Sequence, residues 1–128
     1  MNMEKILVID DDEIFISTIR AMLKHDYEVI GCVSGNEALD LLYKSPSVHL
    51  ILLDIMMPKM DGWEVFRRIK TIGFLFDTPI IFISSLDDAE AEKHAYEVGA
   101  KDFIRKPFQK EDLMHRISNI FQKKEVIA

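Results

Sequence analysis

The sequence predicts an α/β fold, a five-stranded parallel sheet with helices on both faces. Three observations carry that reading. Short apolar runs without alternation, such as Leu50-Ile51-Leu52-Leu53, read as strands buried on both faces. Segments with apolar residues at helical spacing lie between them. Strand-then-helix recurs five times, and that alternation gives a parallel sheet with right-handed crossovers.

The first strand is Ile6-Leu7-Val8-Ile9, ending at Asp10-Asp11-Asp12. Phe15, Ile19, Met22 and Leu23 form the stripe of a first helix, with Asp12 as its N-cap. Residues 27–33 are the second strand. Ser34-Gly35-Asn36-Glu37 is a capping box, opening a helix with Ala38, Leu41 and Leu42 on one side and Pro46 past its end. The third strand, His49 onward, stops on the carboxylate of Asp54, and Pro58 and Gly62 turn the chain that follows. Val65, Phe66 and Ile69 mark a third helix. Phe74, Leu75 and Phe76 sit in a connection and read as a plug for the core. Ile80-Ile81-Phe82-Ile83 is the fourth strand, ending at Ser84-Ser85. A fourth helix spans residues 88–98, with a thin face of Ala91, Ala95 and Val98 and a left-handed cap at Gly99. Residues 101–105 form a short fifth strand. Leu113, Ile117, Ile120 and Phe121 stripe the last helix.

Composition narrows the function classes. The 128 residues suit one domain, 1–128, with one core. A formal charge of −6 gives no bulk attraction to nucleic acid or anionic membrane. The single Cys32 makes no internal disulfide and reads as a buried, inert thiol. No apolar stretch is long enough to cross a bilayer, and the N-terminus runs into a strand without a signal-peptide pattern. The expectation is a cytoplasmic protein. His25, His49, His94 and His115 lack metal-ligand spacing.

In parallel sheets of this kind, sites lie at the carboxyl ends of the strands. Asp10, Asp11, Asp54, Ser84 and Lys106 all stand at such ends. Three carboxylates brought together repel unless a cation or protons neutralise them. Magnesium suits them, because it takes oxygen ligands and works with substrate phosphate. Asp54 can then attack phosphorus as a carboxylate nucleophile. Lys106 offers positive charge to phosphoryl oxygens, and Ser84 a hydroxyl donor.

Four blocks sharpen this picture. They are Ile6-Leu7-Val8-Ile9-Asp10-Asp11; residues 52–62, from Leu52-Leu53-Asp54 to Met60-Asp61-Gly62; Pro79-Ile80-Ile81-Phe82-Ile83-Ser84-Ser85; and residues 99–108, containing Phe103-Ile104-Arg105-Lys106-Pro107-Phe108. Together, in this order, they resemble the receiver domain of two-component response regulators over essentially the whole chain. The resemblance implies a flavodoxin-like (βα)5 fold with strand order 2-1-3-4-5. It implies phosphorylation of Asp54 by a sensor histidine kinase, a histidine phosphotransfer protein or a small phosphodonor. Asp11 and Asp54 would bind Mg2+ directly, Asp10 through water, and Met56 by its backbone carbonyl. Lys106 would pair with the phosphoryl group, Ser84 and Phe103 would be the switch pair, and the bond before Pro107 is often cis. The product would be a signalling switch rather than an enzyme. Its output would pass to a downstream effector or fused output domain through helix four, strand five and helix five. That face carries Glu90, Lys93, Asp102, Arg105, Glu111 and Arg116, which fit a symmetric homodimer and a solvated surface equally well.

Two positions tune phosphate lifetime in that family, and here they are the apolar Met56 and Leu86, which orient no water. Alternatives are an aspartyl-phosphate phosphatase and a phosphate-independent interaction module. The first wants a second Asp where Met56 stands; the second usually lacks an active position, and none is missing. A flavodoxin-type cofactor site is opposed by Asp10-Asp11-Asp12 in the first loop. No output domain follows helix five, which fits a stand-alone receiver or a piece of a longer protein.

Overall fold

The computed structural model describes residues 3–44, 47–85 and 89–122. The elements run β1 (Lys5–Ile9), α1 (Glu13–Leu23), β2 (Glu28–Cys32), α2 (Gly35–Lys44), β3 (Leu50–Asp54), α3 (Gly62–Lys70), a single 3₁₀ turn (Gly73–Leu75), β4 (Ile80–Ser84), α4 (Ala89–Val98), β5 (Asp102–Arg105) and α5 (Lys110–Gln122). All five strands are parallel, in the order β2-β1-β3-β4-β5. This is the (βα)5 architecture expected above.

Side chains alternate across a strand, so each central strand feeds two cores. Ile6, Val8, Leu50, Leu52, Ile81, Ile83 and Ile104 pack with Ile16, Ile19 and Leu23 of α1 and Leu113 and Ile117 of α5. Leu7, Ile9, Ile51, Leu53, Ile80, Phe82 and Phe103 pack on the other face with α2, α3 and α4. β3 and β4 are buried at every position, which explains their unbroken apolar runs. Among the described residues no helix is long and apolar enough to cross a membrane.

Local signals set the helix ends. Asp12 caps α1, its side chain accepting from the N–H groups of Ile14 at 2.9 Å and Phe15 at 3.4 Å. Ser34 Oγ accepts from Glu37 N–H at 3.1 Å, while the Glu37 carboxylate reaches back to Val33 N–H, one residue beyond the usual box. Gly99, at φ 109°, ends α4 in the left-handed conformation.

Several expectations need correction. The buried stripe of α1 centres on Ile16, Ile19 and Leu23, with Phe15 and Met22 at its margin. Leu39, not Leu41, joins Ala38 and Leu42 inside α2. Only Leu75 plugs the core; Phe74 and Phe76 are 66% and 67% exposed, because a 3₁₀ turn sends neighbours in different directions. Val98 is exposed, so the buried apolar face of α4 is only Ala91 and Ala95. Asp61, taken as part of a loop, caps α3 by accepting from Glu64 N–H at 3.0 Å. Pro46, Leu86 and Asp88 lie outside the described residues.

Gly62 joins fold to site. Its N–H donates to Ile55 O at 2.8 Å, pressing the start of α3 against the end of β3. A Cβ there would stand 2.3 Å from Asp54 O and 2.7 Å from Ile55 Cα, both backbone atoms that cannot swing away. Gly62→Ala should therefore destabilise the chain by about 2–3 kcal/mol in urea unfolding. Gly73→Ala, with nothing within 4 Å, should change stability by less than about 0.5 kcal/mol.

Candidate functional site

Register gathers the polar groups. Ile9 pairs with Leu53 across β1 and β3, so Asp10 and Asp54 follow side by side. Asp54 pairs with Ile83, and Ser84, the next residue of β4, pairs with Arg105. Lys106 is the residue after that, its N–H donating to Ser84 O at 2.8 Å. The strand order reverses at β1 and β3, which leaves a crevice at their carboxyl ends.

Asp10 and Asp54 are 1% and 6% exposed, and Ser84 is fully buried, among very few buried polar residues. Each of Asp10, Asp11 and Asp54 offers a carboxylate oxygen, all within 4.8 Å of one another. Lys106 Nζ donates to Asp10 Oδ2 at 2.8 Å and stands 3.8 Å from Asp54 Oδ1. Asp10 Oδ1 also accepts from Asp12 N–H at 2.9 Å, which fixes that carboxylate. Burial, then the Asp10 charge, pushes the Asp54 carboxyl up to about 6, against the pull of Lys106.

The structure thus brings Asp10, Asp11, Asp54 and Lys106 together as expected and sets Ser84 at the next strand end. Met56 follows β3 with its side chain exposed. Phe103, expected to turn inward on switching, is buried in the core beneath α4. The Lys106–Pro107 peptide is cis. Cys32 is buried, and burial raises its thiol to about 11, out of the reactive range. The ring of Phe15, 4.1 Å from Lys106 Nζ, is a neighbour of the site that sequence reading missed. The contact spans most of the chain, and residue 15 reads locally as core.

The family model for the response regulator receiver domain matches residues 6–118. The chain belongs to this family. The receiver resembles the transcriptional regulatory protein CrdR of Helicobacter pylori, 38% identical over 92% of this chain and 55% of that protein. It also resembles the alkaline phosphatase synthesis transcriptional regulatory protein PhoP of Bacillus subtilis, 32% identical over 98% of this chain and 51% of that protein. The chain spans about half the length of these curated relatives. Among solved structures, a receiver domain protein from Clostridium thermocellum superposes with a TM-score of 0.85, at 30% identity over 95% of this chain and 97% of that one. The chemotaxis protein CheY4 of Vibrio cholerae gives 0.85 at 28% identity, covering 92% and 98%.

The raised Asp54 carboxyl makes the receiver's stability depend on pH. Below about pH 4 the group is protonated folded or unfolded and contributes nothing. Between pH 4 and about 6 the unfolded chain ionises first, so the folded state loses stability as pH rises. Above about 6 the penalty is complete. With a chelator present, Asp54→Asn should stabilise the receiver by roughly 1–3 kcal/mol at pH 7.5 and by little at pH 4. Urea unfolding at the two pH values measures the difference.

Proposed function

We propose that this receiver accepts a phosphoryl group on Asp54 from a phosphohistidine donor and passes the signal through α4, β5 and α5. The observation that carries the reading is the buried carboxylate of Asp54, ringed by Asp10, Asp11 and Lys106 at the strand ends. An Asp54 oxygen bonds to phosphorus while the phosphorus–nitrogen bond of the donor breaks, its electron pair leaving with the imidazole. Lys106 meets the charge on the transferred oxygens, and Ser84 lends its hydroxyl to another of them. A small donor such as acetyl phosphate serves in the same way, with acetate as leaving group.

The donor set fits magnesium: hard oxygen atoms, clustered, with one carboxyl pushed toward protonation by burial and then by the Asp10 charge. Asp11 and Asp54 would hold the ion directly, Asp10 through water, and the Met56 carbonyl would complete the protein ligands. When bound, the ion neutralises charge between the acceptor and the incoming phosphoryl oxygens.

New acceptor oxygens on Asp54 reward movement of Ser84 and the start of α4, a population shift between two packings. Phe103 lies beneath that helix, so its buried position is the one this shift would secure. On the output face, Arg116 Nη1 donates to Asp102 Oδ1 at 2.7 Å and Arg105 Nη2 to Glu92 Oε1 at 3.1 Å. These charges are satisfied within the chain, which favours a solvated face; a homodimer through it would have to exchange these pairs. The function is signalling rather than turnover. We place this domain in the cytoplasm; its acidic balance gives it no bulk attraction to nucleic acid or anionic membrane, and among the described residues no helix is long and apolar enough to cross a membrane.

Incubation with acetyl phosphate and Mg2+, followed by intact mass, should give a single phosphoryl adduct that Asp54→Asn abolishes. Lys106→Ala should slow adduct formation by about a hundredfold or more. No adduct on the native chain refutes the proposal. The adduct should persist for minutes or longer, since Met56 and Leu86 present no group to orient water. Polar residues at both positions should shorten its lifetime by about tenfold or more, read as phosphate release.

A further inference from the structure

The ammonium of Lys106 has a partner that the reaction scheme does not use. Its Nζ stands 4.1 Å from the ring centroid of Phe15, over the face, while donating to Asp10 at 2.8 Å. A ring face is the negative side of its quadrupole, so it attracts a cation there. Phe15 is itself held at two points. Its backbone N–H donates to the Asp12 cap at 3.4 Å, and its ring meets Phe108 edge-on, centroids 6.0 Å apart at 90°. Phe108 lies two residues past Lys106 in sequence, and its edge-on contact steadies the Phe15 ring on which the ammonium sits.

A lysine is a compact charge on a flexible stem, and such stems carry their heads to water wherever they can. Lys106 is one-fifth exposed at the rim of the crevice, so that escape is open to it. Asp10 alone would allow the ammonium to swing about a single bond. The ring closes the side facing α1 and leaves the ammonium beside Asp54.

We propose that Phe15 is a positioning residue, holding the Lys106 ammonium at the acceptor carboxylate through its ring face. The proposal rests on the reading of Asp54 as phosphoacceptor. It separates two properties of the site. Cation binding draws on the carboxylates and should ignore residue 15. Phosphoryl transfer needs the ammonium in place and should feel the ring, because displacement by about an ångström is costly to a reacting geometry.

The test is the rate of adduct formation with acetyl phosphate, by intact mass, across a Mg2+ titration. Phe15→Leu keeps an apolar side chain and removes the π face. It should slow transfer about threefold to tenfold at saturating Mg2+ and leave the half-saturating Mg2+ concentration unchanged. Phe15→Tyr keeps the face and should restore the rate. In a Lys106→Ala background, Phe15→Leu should add nothing, since the ring acts through that ammonium. Equal rates for Phe15→Leu and the native chain overturn the proposal and leave the acceptor reading intact. So does an equal loss in Phe15→Tyr, or a loss that persists without Lys106. No adduct on the native chain removes the acceptor reading, and this proposal with it. A readout on the unmutated protein guards against misfolded variants: proton resonances of the Lys106 ε-methylene should be shifted upfield by the ring current. Resonances at the ordinary lysine position would also overturn the proposal.

Discussion

Three carboxylates and one ammonium share the carboxyl edge of β1, β3 and the segment after β5, with two of the acids almost wholly out of water. That concentration of like charge is the constraint on which the rest of the molecule depends. One lysine cannot neutralise three acids, and burial makes the remaining charge more costly. Asp10 is tied down by Lys106 and by the Asp12 N–H, which leaves the imbalance on Asp54. It is the Asp54 carboxyl that rises to about 6. Asp54 is thus a buried carboxylate that would gain by taking up a cation or, on the reading proposed above, a phosphoryl group.

Holding such a cluster requires a rigid frame. β3 is enclosed on both faces and flanked by β1 and β4, so its terminal residue cannot relax by moving the strand. Gly62 packs α3 directly onto the Asp54 carbonyl, closing the other route. The frame is not uniform, however. α3 buries Val65, Phe66 and Ile69, whereas α4 buries only two alanines. Stability in a fold is distributed according to buried apolar contact, so the element next to Ser84 is the one with least to lose by shifting. A stiff site beside a loosely held helix is the arrangement in which a small local gain can move something large.

Most of this frame was legible in the sequence, and the misses share a cause. Periodicity identifies strands buried on both faces, and β3 and β4 are unbroken because helices cover both sides. Capping at Asp12 and Ser34 is local chemistry and reads locally. Strand order was not in the periodicity at all; it came from resemblance. Leu39, Val98 and the two exposed phenylalanines were misjudged because hydrophobicity marks what a residue prefers and not what the neighbouring element leaves room for. For the site, residue types at strand ends pointed to Asp10, Asp11, Asp54 and Lys106, and the fold brings these four together, since parallel topology delivers strand ends to one edge. Phe15 escaped because its partner is distant in sequence and its spacing fits an ordinary apolar stripe.

On the reading of Asp54 as phosphoacceptor, the discomfort of the acidic cluster would also link binding and switching. A ligand that engages only the folded arrangement stabilises it, and a ligand that engages one packing of α4 more than another shifts that balance by the difference. Both effects draw on the same unbalanced charge at Asp54. Neutralising it by a cation relieves repulsion among the three acids without asking Ser84 to move. Covalent addition of phosphoryl oxygens brings charge back, now as acceptors that a hydroxyl and an ammonium can meet. Only the second creates a new reason for β4 and α4 to rearrange. On that reading the cluster would distinguish a loaded site from a signalling one by where the new acceptors lie, not by how much charge is present.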